Sequence, residues 1–258
     1  MIGSTPPARV HTANQAPLRS DGDYVLYWMI SARRAFDNFA LQHAVHTAQL
    51  LGKPLLVLEA LRCDYPWASD RFHRFVLDGM NTNRGDFDHP GVLYYPYISA
   101  KPKQGKGLLE LLAAHACMVV TDHFPCFFLP NMVAAAGRKL PIRLDVVDSN
   151  GVMPLSLAPR VFTTAASFRR HLHKEILPHL GQMPAPSPLV GAQLVGSVEL
   201  PARCQERYPP APTALLNDTG SASLRDLPID HSVAPIVERG GAAAAEIAMS
   251  RFLSDRLP

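Results

Sequence analysis

Five short apolar runs, separated by segments of helical periodicity, constrain this chain more than any other feature of it. The runs are YVLYWMI at residues 24–30, PLLVLEA at 54–60, VLYYPY at 92–97, CMVVTD at 117–122 and IRLDVVD at 142–148. Most are continuously apolar rather than alternating, the pattern of strands covered on both faces. Between the first two, Phe36, Phe39, Ala40, Val45, Ala48 and Leu51 recur mostly at three- and four-residue spacing, and Gly52 stands where a helix-ending glycine is expected. A second amphipathic segment opens at Ser69 and Asp70, with Phe72, Phe75, Val76, Gly79 and Met80 on one face; residues 108–115 and 129–139 supply two more. Parallel neighbours need crossover connections, and helices must cover both faces of the sheet. The alternation therefore predicts a doubly wound, Rossmann-like α/β fold with a five-stranded parallel sheet.

The 258 residues are 47% hydrophobic and 18% charged, enough apolar material for a buried core and too little charge for a disordered chain. A net charge of +3 excludes a histone-like polycation and leaves nucleic-acid binding to local patches. No apolar run approaches the roughly 20 residues of a membrane span. Residues 1–21 form a polar, flexible leader lacking the basic and apolar regions of a signal peptide, so a cytoplasmic protein without membrane contact is expected. Cys63, Cys117, Cys126 and Cys204 show neither a C-x-x-C pair nor zinc-like spacing, which argues for reduced thiols and no metal. The α/β domain is expected over 22–177, a proline-rich linker over 178–239, and a lone amphipathic helix with Ile247, Phe252 and Leu253 within 240–258.

Ligands of such sheets sit at the carboxyl ends of the strands, here residues 28–34, 59–64, 97, 122–125 and 148–151. No G-x-G-x-x-G follows the first strand and no P-loop occurs, which disfavours dinucleotide dehydrogenases and P-loop NTPases. The turn at Gly105, Lys106 and Gly107 could offer amides to a phosphate or be a solvated loop. Cys126 lies near His123, but Phe124, Pro125, Phe127 and Phe128 surround it in sequence; an inert, buried packing thiol is expected. The pairs His43/His46 and His171/His173 lack a third metal ligand. Asp122 and Asp148 each close a strand and could meet a ligand or cap the following segment. Arg33, Arg34, Arg169 and Arg170 could contact phosphates, pair with these acids or be solvated.

The segments YWMISARRAFDNFAL at 27–41, VTDHFP at 120–125, VDSNGVMP at 147–154 and TAASFR at 164–169 together resemble the N-terminal domain of class II cyclobutane pyrimidine dimer photolyases. In those enzymes Y-W-M, an arginine and then D-N-W-A-L open the first helix. The likeness runs over about 23–177 and more loosely through PIDHS at 228–232 and the last helix. It implies a light-driven DNA-repair lyase that splits pyrimidine dimers. Its α/β domain can hold an antenna chromophore, a deazaflavin or similar, while FAD and the dimer pocket belong to a helical C-terminal domain. With Trp28 and Trp67 as its two tryptophans and no S-x-L-S-P-Y-L-H-F-G stretch, the chain departs from the family pattern at that catalytic half. The resemblance thus implies the N-terminal part of a photolyase, inactive alone, whose FAD domain could come from a separate chain and whose DNA contacts belong to the complete enzyme.

An antenna site requires an apolar crevice for a flat ring and a few polar anchors. Trp28, Met29, Ser31, Arg33, Asn38, Asp122, Phe124 and Pro125 supply those types at the strand ends and are the expected chromophore-binding residues. No catalytic acid–base pair, nucleophile or metal cluster is expected. The rival reading is a standalone, non-catalytic nucleotide- or flavin-binding domain acting with a partner protein.

Overall fold

A computed structural model describes residues 2–218, 220 and 222–257. The strands are β1 (Val10–Thr12), β2 (Tyr24–Met29), β3 (Leu55–Arg62), β4 (Val92–Ser99), β5 (Ala116–Asp122) and β6 (Leu144–Val147). The α-helices are α1 (Phe39–Leu51), α2 (Asp70–Asp86), α3 (Leu108–Ala113), α4 (Leu129–Lys139), α5 (Ala165–Glu175), α6 (Ala202–Arg207), α7 (Thr213–Asn217) and α8 (Ala242–Arg256). They build one sheet in the order β1-β6-β5-β2-β3-β4. The five runs read from sequence are the five parallel strands. From β2 the chain moves outward through β3 and β4, then returns to place β5 on the other side of β2, so the switch point lies between β2 and β5.

Successive β2 side chains enter opposite layers, as the two-residue period of a strand requires. Val25, Tyr27 and Met29 pack with α1, whereas Tyr24, Leu26 and Trp28 pack with residues of α3 and α4. A third cluster joins Leu77 and Met80 of α2 to Leu61, Ile98 and the α7 residues Leu215 and Leu216.

The sheet has six strands rather than five. The additional edge strand β1 pairs antiparallel with β6, Val10 opposite Val147 and Thr12 opposite Asp145. It comes from the segment expected to be a flexible leader, and side chains far apart in sequence hold it. Arg9, 1% exposed, donates to the carbonyls of Asp148 at 3.1 Å, Gly151 at 3.2 Å and Val152 at 2.5 Å. Its guanidinium also lies 4.3 Å from the Phe39 ring centroid. Gly22 passes so close to β5 that a Cβ would come within 2.5 Å of the Cys117 nitrogen, which requires glycine there.

Helix α1 starts at Phe39, later than the periodicity from residue 34 predicts, because the preceding backbone is held in a loop. Asn38 caps the helix by accepting from the Leu41 N–H, and Gly52 ends it in the left-handed region at φ 62°. The described residues of the proline-rich stretch 178–239 contribute no strand to the sheet, yet they are packed against the domain. Cys204, Tyr208, Leu216 and Leu224 within it are buried, and Ala211 N–H donates to Pro96 O at 2.8 Å. Helix α8 buries none of its residues and leaves Ile247, Phe252 and Leu253 about half exposed. No helix among the described residues is long and apolar enough to cross a membrane.

Candidate chromophore site

A cavity of about 580 Å³ opens at the carboxyl edge of the sheet. That size lies within the range of small-molecule sites. Trp28 and Met29 of β2, Leu58 and Ala60 of β3 and Tyr97 of β4 form its sheet side; Leu108 and Leu109 of α3 and Leu129 and Met132 of α4 form the wall opposite. The walls are mainly apolar, and the charged lining groups are Arg33, Arg62, Lys103, Lys106 and Asp64. Asp64 accepts from Arg62 Nε at 2.9 Å, so the rim keeps a surplus of positive charge. The cavity therefore suits a flat, largely apolar molecule with an anionic end.

Of the eight expected site residues, Trp28, Met29 and Arg33 line this cavity. Asp122, Asn38 and Ser31 lie outside its lining and shape the loop that carries Arg33. Asp122 is fully buried and accepts from the Tyr27 hydroxyl at 2.7 Å and from the N–H groups of Ile30, Ser31 and Ala32 at 2.8, 2.7 and 3.1 Å. Burial pushes its carboxyl above the usual range against the opposing pull of these hydrogen bonds. Asn38 donates to the Tyr27 hydroxyl and to Ala32 O, both at 3.0 Å, and to Arg34 O at 2.9 Å. Burial, reinforced by the Asp122 charge, holds the Tyr27 phenol protonated far above its ordinary value. Phe124 and Pro125 precede the cavity wall but do not form it; Phe128 and Leu129 do.

Asp148 likewise serves the backbone, accepting from the N–H groups of Asn150 at 2.8 Å and Leu155 at 2.6 Å. Cys126 is exposed, contrary to its expected burial, because residues 125–128 turn outward into solvent. No group of three or more His, Cys, Asp or Glu residues suited to a metal occurs among the described residues.

The lining residues not selected from sequence are Ile30, those of β3 and β4 with Asp64 and Tyr65, those of the 103–109 segment, and Phe128, Leu129 and Met132. Their strand-end positions were legible at 59–64 and 97, and the Gly105–Lys106 turn stood out as a possible anion contact. Nothing local indicated that these segments share one cavity. Glu59, buried within β3, accepts from Arg33 Nε at 2.7 Å, from Asn83 Nδ2 at 2.8 Å and from the Tyr94 hydroxyl. Arg33 is thereby neutralised and oriented from behind.

No family model matches the chain. Over 162 residues, 61% of its length, it is 31% identical to a deoxyribodipyrimidine photo-lyase of Methanothermobacter thermautotrophicus. It resembles a photolyase. The chain spans 36% of that relative's length. Among solved structures, the cryptochrome of Synechocystis sp. PCC6803 superposes with a TM-score of 0.57 at 15% identity, covering 91% of this chain and 47% of that one. A bacterial class III photolyase from Agrobacterium tumefaciens gives 0.56 at 14% identity, over 90% and 45%. At such identities the two structural matches establish a shared fold.

Proposed function

We propose that this chain is the antenna-bearing α/β part of a cytoplasmic, photolyase-like flavoprotein that repairs pyrimidine dimers in DNA, with the flavin and the dimer pocket outside these 258 residues. The observation that carries this reading is the cavity itself: apolar walls at the sheet's carboxyl edge and a rim rich in Arg and Lys. Kinship with class II rests on the motifs at 27–41, 120–125 and 147–154.

The residues present fit an antenna chromophore such as a deazaflavin or another flavin-like ring. Trp28, Leu58 and Met132 would shield such a ring from water, and Lys103 and Lys106 on the same lining would attract an anionic substituent. The chromophore, when bound, would absorb near-ultraviolet or blue light and pass the excitation to the catalytic flavin. Helices α6 and α7 have 6 and 5 residues, and the 15-residue α8 buries none. No catalytic step is assigned to this chain's residues.

Titration of the purified chain with FMN and with 8-hydroxy-5-deazaflavin, followed by fluorescence, tests the reading. Saturable binding at one chromophore per chain is expected; absence of saturable binding by both compounds refutes it. Reconstitution with FAD should give neither stoichiometric flavin nor light-driven repair. Tight FAD binding with dimer repair by this chain alone would overturn the proposed division of labour.

A further inference from the structure

Away from the cavity, one surface helix carries charge that the rest of the fold does not answer. Between residues 158 and 180 stand Arg160, Arg169, Arg170 and Lys174 against the single acid Glu175, a positive surplus equal to the net charge of +3 of the whole chain. Arg169, Arg170, Lys174 and Glu175 belong to α5, which Thr164 caps by accepting from the Ser167 N–H and which buries none of its residues. At about 100° per residue, Arg169, His173, Arg170 and Lys174 fall within about 140° of the helix circumference, and all four are exposed. The segment before the helix adds a fourth fixed cation. The Phe162 ring stacks on His171 at 4.9 Å and meets Phe168 at 5.4 Å, and the Arg160 guanidinium stands over Phe162 at 5.7 Å. Glu175 meets Lys174 at 3.8 Å, whereas no acid among the described residues pairs with Arg160, Arg169 or Arg170. Arg170 and Lys174, four residues apart, repel each other, so the stripe costs α5 stability unless an anion covers it.

We infer that α5, with Arg160 beside it, is a contact surface for the phosphate backbone of undamaged duplex DNA. Three of its four fixed charges are guanidiniums, whose planar forks match phosphate oxygens. Arg169 and Lys174 lie about 7.5 Å apart along the helix axis, a span over which one strand presents about two phosphates. The stripe is therefore matched to a short run of backbone rather than to a single anion. A lipid surface fits less well, because an interfacial helix inserts through a broad apolar face. On α5 the side opposite the stripe carries Glu175, the half-buried Leu172 and a Phe168 ring already engaged by Phe162. The contact lies outside both the chromophore cavity and the dimer pocket. It holds the α/β part on DNA by charge, without reading sequence and without needing a lesion.

Fluorescence anisotropy of a labelled, undamaged DNA duplex titrated with the 258-residue chain measures the contact. With four cations engaged, the logarithm of the association constant should fall with the logarithm of salt at a slope of about −3 to −4. Arg169→Gln combined with Arg170→Gln should weaken binding about tenfold or more at about 50 mM salt and make the slope shallower by about 2. Both side chains are exposed, so the thermal midpoint should not fall. Arg203→Gln combined with Arg251→Gln removes the same charge from exposed positions on α6 and α8 and should change the constant by less than about twofold. The inference is overturned if the wild-type chain does not bind the duplex at about 50 mM salt, or if the two double variants weaken it equally, since net charge alone would then be at work. It is also overturned if the α5 variant releases phosphatidylserine vesicles but keeps the duplex, which would make α5 a lipid-binding helix. Flavin affinity should be the same in every variant, so loss of the DNA contact leaves the chromophore reading standing, and failure of flavin binding leaves this contact standing.

Discussion

Replacing Asp145 with asparagine should loosen the amino-terminal edge of the sheet in a strongly pH-dependent way. Its carboxylate is 1% exposed and ties three elements together. Oδ1 accepts from Thr12 Oγ1 of β1 and from Arg143 Nε, both at 2.8 Å, and Oδ2 meets His43 Nε2 of α1 at 3.0 Å. Burial pushes this carboxyl up, but the hydrogen bonds from His43, Arg143 and Thr12 outweigh it and hold it at about 2 against an ordinary 3.8. The gap corresponds to roughly 2 kcal/mol after allowance for the partial exposure of Arg143. A depressed carboxyl stabilises the fold fully above the unfolded value and loses that contribution as pH falls toward the folded one. Asp145→Asn should therefore lower stability by about 2 kcal/mol at pH 7, or about 4–8 °C in Tm, with roughly half that loss remaining at pH 3. Urea unfolding followed by circular dichroism at pH 7, 5 and 3 measures it. An equal loss at all three values, or none at pH 7, would refute the argument that the ionised carboxylate fastens the edge.

Asp122→Asn should cost about 2–4 kcal/mol, because the charged acceptor for the Tyr27 hydroxyl and three loop N–H groups is lost. It should also weaken flavin binding, since Ile30 and Arg33 of that loop line the cavity. A lowered thermal midpoint with unchanged affinity would show that the loop does not shape the site. Of the four thiols, Cys126 is exposed while Cys63, Cys117 and Cys204 are buried, and burial pushes the Cys63 thiol up to about 11. Ellman's reagent at pH 8 should therefore titrate one thiol rapidly in the native protein and the other three only on unfolding. Two or more fast thiols would contradict the packing described.

The sequence by itself determined the alternation of strands and helices, and through it the parallel sheet, the crossovers and the edge where a ligand would lie. Those properties follow from local signals: continuous apolar runs such as 54–60, helical spacing such as Phe39 to Leu51, a capping Asn38 and the left-handed Gly52. Tertiary structure decided what partners distant in sequence must supply. Strand β1 has three residues and no periodicity of its own; β6 and the buried Arg9 make it a strand. Asp122 stands at a ligand-bearing strand end, yet backbone N–H groups about 90 residues away claim its carboxylate and remove it from the cavity wall. Tyr97, Lys106 and Met132 lie on separate segments and become one lining only when β4, the α3 entry and α4 converge. A strand end can be read from a short window of residues, but which side chain remains free there depends on the hydrogen-bond partners that the rest of the fold delivers.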